Sequence, residues 1–73
     1  MAKKGGGAVY RVTEVIGTSG NSWEDAVRNA VSTASESLRD LRIAEIEKLD
    51  VKIEDGKVTQ FRARLALSFK YEG

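Results

Sequence analysis

Ile53-Glu54-Asp55-Gly56-Lys57-Val58 lies between two runs of alternating apolar residues, and its central Asp55-Gly56 is a two-residue hairpin signal. Upstream, Leu49, Val51 and Ile53 alternate with polar residues; downstream, Phe61, Ala63, Leu65, Leu67, Phe69 and Tyr71 do the same. A period of two places each set on one side of a strand. The pattern predicts antiparallel strands over about 42–53 and 57–71. Gln60, Arg62, Arg64, Ala66, Ser68 and Lys70 take the other face of the last strand. Ile43 shares the parity of Leu49, but Ile46 does not. A bulge or a change of covered face between Glu45 and Lys48 is therefore expected.

Moving toward the N-terminus, the period changes. Trp23, Val27, Ala30, Val31, Ala34, Leu38 and Leu41 recur at spacings of three and four, one stripe of a helix. Ser22 is its N-cap, Asp25 closes an acidic variant of the capping box, and Glu24 adds negative charge to the first turn. The helix is expected to reach about Leu38 or Asp40. Gly17-Thr18-Ser19-Gly20-Asn21-Ser22 reads as a turn. Before it, residues 9–16 form a strand with apolar residues on both faces, which predicts cover on both sides. Gly5-Gly6-Gly7 makes residues 1–8 read as a flexible tail ahead of one domain over 9–73.

A helix between the first two strands is a crossover, which joins parallel strands with a right-handed turn. The hairpin then makes the third strand antiparallel to the second. The simplest result is an α+β fold of order β-α-β-β: a three-stranded sheet in strand order 1-3-2, a split β-α-β unit packed on one helix. Such a protomer leaves one sheet face bare and two strand edges open, an invitation to pair with other copies.

Composition points the same way. Seventy-three residues make one small domain, which needs disulfides, metals or oligomerisation to compensate for a small core. The chain has no cysteine, which excludes disulfides and thiolate chemistry, and no histidine, the commonest general base and transition-metal ligand. Self-assembly is the staple left. Twelve basic against eleven acidic residues, a net charge of +1, argue against nucleic-acid binding driven by phosphate contacts. No apolar run approaches the roughly 18–20 residues of a membrane span, and a cytoplasmic location is expected.

Catalytic constellations are missing. Without histidine, only a lysine or carboxylate would remain to activate Thr18, Ser19 or Ser22, and these residues read better as turn and cap. No enzyme activity is expected. Gly17-Thr18-Ser19-Gly20 before a helix suits a phosphate in outline, but it lacks the lysine of a P-loop. Glu45, Glu47, Asp50, Glu54 and Asp55 are oxygen donors that would suit calcium or magnesium if gathered at an interface; as solvated strand charges they need no ligand. Trp23 fits a core or interface position better than a ligand platform. Arg62 and Arg64, on the face away from the helix, suit either an anionic ligand or carboxylates of a neighbouring subunit.

These pieces together resemble the dodecins. The resemblance is carried by Val9-Tyr10-Arg11-Val12, Ile16-Gly17-Thr18-Ser19, Ser22-Trp23-Glu24-Asp25-Ala26, Ile53-Glu54-Asp55-Gly56-Lys57-Val58 and Leu67-Ser68-Phe69-Lys70, in that order. It implies a homododecamer, a hollow shell of tetrahedral symmetry. It also implies a non-catalytic role in binding and buffering flavins (riboflavin, FMN or FAD), with coenzyme A as a further ligand of some bacterial members. Flavin-binding members carry a stacking tryptophan at the start of the second strand, where this chain has Ile43, and a glutamine on the third strand, where it has Arg62. An isoleucine offers no π-face, and a guanidinium only donates hydrogen bonds. The chain in this respect resembles family members without the tryptophan, some of which look like cation binders. The ligand-site residues expected from the resemblance are Ile43, Glu45, Arg62 and Arg64, with Ile43 lining the pocket and the arginines holding an anion such as a phosphate. The alternative is a flavin-free shell with calcium, magnesium or coenzyme A at subunit interfaces.

Overall fold

A computed structural model of the chain describes residues 9–70. The elements are β1 (Tyr10–Ser19), α1 (Trp23–Ala34), β2 (Leu41–Glu54) and β3 (Lys57–Lys70). They form one antiparallel sheet of order β1-β3-β2, as the hairpin and crossover require. Asp55 and Gly56 turn the β2–β3 hairpin with φ of 51° and 74°. Both values lie in the left-handed region that a tight hairpin of this hand demands. The expected tail at residues 1–8 and the expected end of the last strand at Tyr71 lie outside the described residues.

Two boundaries differ from the sequence expectation. β1 continues through Gly17-Thr18-Ser19 instead of stopping at Ile16. Gly17 is not a strand breaker here; it lets the helix approach. A Cβ on Gly17 would collide with the Ala26 carbonyl oxygen and stand 2.7 Å from the Ala30 Cβ. The helix, in turn, ends at Ala34, before Leu38. Beyond it, Glu36 and Ser37 donate to the carbonyls of Thr33 and Ala34 at 3.2 and 3.1 Å, three residues back. Ser35 and Ser37 are weak helix formers, so the chain tightens and unwinds. Asp40 then takes a φ of 57° at the entry to β2.

The N-terminus of α1 is capped as the sequence indicates. The Ser22 hydroxyl accepts from the Asp25 backbone N–H at 3.0 Å. The Ser19 hydroxyl donates to Asp25 Oδ2 at 2.7 Å and accepts from the Asn21 N–H at 2.9 Å, which locks β1 to the helix start.

The helix lies over β1 and β3. Its buried face is centred on Ala26 and Ala30, which pack against Ala63, Leu65 and Leu67 of β3. Ala26 sits beside the predicted stripe, and the stripe's large members are displaced outward: Val27 and Val31 flank the core, and Trp23 is 39% exposed. Trp23 instead leans edge-on against Phe61, ring centroids 5.2 Å apart, and donates its indole N–H to the Asp50 carbonyl at 3.0 Å. The molecule measures 58 × 21 × 15 Å, because β2 and β3 are each 14 residues long and run past the helix. So little core for so much strand leaves Tyr10, Val12, Ile16, Ile43, Ile46, Leu49, Ile53 and Val58 exposed.

Candidate functional site

The sheet face opposite the helix carries all four expected site residues, in consecutive cross-strand rows. Strand register sets these rows. Val12, Ser68 and Ile43 form one; Glu14, Ala66 and Glu45 the next; Ile16, Arg64 and Lys48 the third; Thr18, Arg62 and Asp50 the fourth. Rows two residues apart along β3 are separated by about 6.8 Å, so Ile43 and Arg62 stand about 20 Å apart. One protomer thus brings Glu45 next to Ile43 and to Arg64, but leaves Arg62 at the far end.

Ile43 is 58% exposed and follows a register shift between Leu41 and itself. A cleft of about 140 Å³ near it opens on the helix side of the sheet, lined by Val31, Leu41, Arg42, Ala44 and Leu67. Pockets that enclose ligands of flavin size are roughly 300 Å³ or more, so this cleft is too small for one. Arg62 is already engaged. Its Nε and a terminal nitrogen donate to the two oxygens of Asp50 at 2.7 and 3.2 Å, a two-point fork. The bond to Arg62 holds Asp50 below the ordinary carboxylate range, and the bond to Asp50 holds the guanidinium above its ordinary value.

The predicted bulge falls where the parity of Ile46 placed it, between Ile46 and Lys48. The extra residue is Glu47. Its carboxyl titrates above the ordinary range, first because it hydrogen-bonds Glu14 across the sheet, then through partial desolvation and the charges of Glu14 and Glu45; Arg64 opposes the shift. Ala66, small and buried between Glu14 and Glu45, gives these acids room to approach. Arg64 is exposed and makes no side-chain ion pair among the described residues.

The fit of this face to a flavin or a hard cation follows from its donors. The carboxylates of Glu14, Glu45 and Glu47 are the oxygen ligands calcium prefers. Among the described residues, however, no group of three or more acids is placed to hold a metal ion within one protomer. For a flavin, Ile43 could offer only apolar contact without stacking, and Arg64 is the arginine with donors to spare. Sequence reasoning missed Glu14 as a member of the cluster and Asp50 as the partner of Arg62. Both become visible only once the register of β3 against its two neighbours is known.

The dodecin family model matches residues 9–72. A calcium dodecin of Mycobacterium tuberculosis is 42% identical over 64 residues, spanning 86% of this chain and 89% of that protein. The dodecin of Streptomyces coelicolor superposes with a TM-score of 0.86 at 45% identity, covering 90% of this chain and 94% of that one. The crystal structure of the Mycobacterium tuberculosis calcium dodecin, described as having a novel calcium-binding site, superposes with a TM-score of 0.79 at 39% identity and covers 89% and 93%.

Proposed function

The chain belongs to the dodecin family of small binding proteins, and from that premise we propose that it works as a non-catalytic homododecamer that stores a small ligand at subunit contacts on the open sheet face. The observation that carries this reading is the bare face itself. Ile43, Glu45 and Arg64 lie on it in adjacent rows, exposed and with no cover from the same protomer. Flavin is the ligand class the resemblance implies. In this chain Ile43 would line the ring, and Arg64 would meet a phosphate or a ring carbonyl. Arg62 would serve structure first, because Asp50 holds its guanidinium. Coenzyme A offers the same anionic groups to the same arginine. The expected cytoplasmic location belongs to this reading.

A specific observation favours a second ligand. Glu14 and Glu47 meet across the sheet with Glu45 beside them. A hard cation such as calcium or magnesium would relieve that repulsion if a neighbouring copy completed the ligand set. The relatedness to a calcium dodecin supports this alternative.

Equilibrium dialysis of the assembled protein against riboflavin, FMN, FAD and calcium separates the two. Flavin uptake at a fixed ratio per subunit supports flavin storage. Absence of flavin uptake at high micromolar concentration, with calcium retained, transfers the function to the cation.

A further inference from the structure

On the open face of the sheet, Lys48 of β2 stands directly opposite Arg64 of β3, and Ile16 of β1 completes the row. We propose that Lys48 and Arg64 together form a two-cation clamp for a phosphate group, so that this face selects phosphorylated ligands over uncharged ones. The proposal rests on the ligand-storing reading above and deepens it: Lys48 joins the site, and the ligand acquires a charge class.

The bulge at Glu47 carries the argument. Ile46 faces Leu65, and a ladder continued without a break would set Glu47 opposite Arg64, an ordinary acid–base pair across the strands. The extra residue moves the register by one and puts Lys48 there instead. Like charges directly opposite each other are unfavourable, so the bulge exchanges a stabilising pair for a repulsive one. Bulges that re-aim a side chain cluster beside functional sites. Both bases are exposed, and among the described residues neither makes an ion pair. The acids around them are turned elsewhere. Glu47 hydrogen-bonds Glu14, and Asp50 is held by Arg62; Glu45, in the next row, forms no ion pair with either base. Opposed side chains on paired strands stand about 5 Å apart at Cβ, so an ammonium and a guanidinium can close on the oxygens of one phosphate. Such charge-assisted hydrogen bonds are the strong ones. A cleft of about 210 Å³ lined by Glu14, Val15, Ile16 and Arg64 leaves space for that group beside the row. Ile43 lies two rows away, about 14 Å along β3. A flavin ring resting on Ile43, with its phosphate-bearing chain extended and met by two long side chains, spans that distance.

Equilibrium dialysis separates charge selection from binding in general. The unchanged chain, Lys48→Gln, Arg64→Gln and Lys48→Arg are compared for FMN against riboflavin, and for coenzyme A against pantetheine, which lacks its phosphates. Inorganic pyrophosphate serves as a probe without a ring, and light scattering follows the mass of each assembly. The unchanged chain is expected to prefer the phosphorylated member of at least one pair, and that pair names the source of the phosphate. Either glutamine variant should lose about tenfold or more of the preference, the worth of a charge-assisted hydrogen bond, with little change for the uncharged member. Lys48→Arg keeps the charge and should keep most of the preference. A loss equal for both members of a pair, or no loss at all, overturns the clamp and leaves the storage reading standing. A glutamine variant whose assembly loses mass while its ligand preference stays the same assigns the bases to a contact between copies, and overturns the clamp as well. Pyrophosphate held by the unchanged chain and released by both glutamine variants, with no uptake of flavin or coenzyme A, keeps the clamp and removes those two ligands from the reading above. Uptake of none of these probes overturns the clamp and leaves calcium as the ligand of that reading.

Discussion

Arg62 grips Asp50 through two parallel hydrogen bonds, Nε to Oδ1 at 2.7 Å and a terminal nitrogen to Oδ2 at 3.2 Å. The pair bridges β3 and β2 directly across the sheet, and the Asp50 carbonyl also accepts the Trp23 indole N–H. One residue thus ties the central strand, the edge strand and the helix start together. Because the guanidinium is spent on this fork, its place in the proposed ligand site is structural.

The pair gives a pH signature of known sign. Asp50 is held below its ordinary range by Arg62, so the folded state binds this proton less readily than the unfolded state. Its contribution to stability is present above the unfolded carboxylate value, near pH 3.9, and is lost as pH falls through the lower folded value. Asp50→Asn is expected to lower the urea midpoint at neutral pH, with the difference shrinking toward zero as acidification takes the pH below the lowered folded value. The group is solvent-exposed, so the effect is smaller than that of any core substitution. A difference that persists unchanged at acid pH would show that the asparagine acts through something other than charge.

Gly17 is the tightest point of the fold. A methyl group there meets the Ala26 carbonyl oxygen and the Ala30 Cβ, both on the helix. Gly17→Ala should push α1 off β1 and cost about 1–3 kcal/mol of stability, the usual range for overpacking. Urea unfolding at neutral pH reads this directly. A loss within about 0.5 kcal/mol would mean the helix can shift at little cost.

The same glycine explains what was legible in the sequence and what was not. As a residue type it signals a turn, and the expected strand stopped before it. In the fold it sits mid-strand opposite Ala63, where its value is the missing side chain. Periodicity could not distinguish these roles, because close packing by a helix is a tertiary fact. The hairpin, the strand order, the helix cap and the bulge near Glu47 were legible, since each rests on local chemistry or on parity along one strand. The Arg62–Asp50 pair was not. Counting outward from Asp55-Gly56 sets Arg62 opposite Leu49, and only the register shift between Lys52 and Ile53 brings Asp50 there. Ala26 escaped for a different reason: the small residues, not the large ones, mark the face that approaches the sheet most closely.

Glu47 predicts the opposite pH dependence from Asp50. Its contact with Glu14 raises its titration, so the penalty for charging it is absent at low pH and fully developed once pH rises through the folded value. Glu47→Gln is expected to raise the thermal midpoint at neutral pH, and this gain should vanish below the ordinary glutamate value of about pH 4.3. Calcium offers a second readout. If the acids gather around a cation in the assembly, added calcium stabilises the unchanged chain at neutral pH and does so less for Glu47→Gln. Equal stabilisation of both proteins would remove Glu47 from any cation site.

Ile43→Trp tests where the proposed ligand lies. The side chain is 58% exposed on the bare face of the sheet, so a larger ring enters without displacing core residues. Stacking on an aromatic is worth about 1–3 kcal/mol per ring in nucleobase recognition, which corresponds to a gain in affinity of roughly 5- to 150-fold. The gain should appear for riboflavin, FMN and FAD alike, because the ring is common to all three, and equilibrium dialysis measures it without relying on fluorescence. Comparing riboflavin with FMN in the same variant isolates the phosphate, and with it Arg64: Arg64→Ala should weaken FMN more than riboflavin if the guanidinium meets the phosphate. A tryptophan at position 43 that leaves flavin affinity unchanged, in an assembly of unaltered mass, would move the ligand away from Ile43.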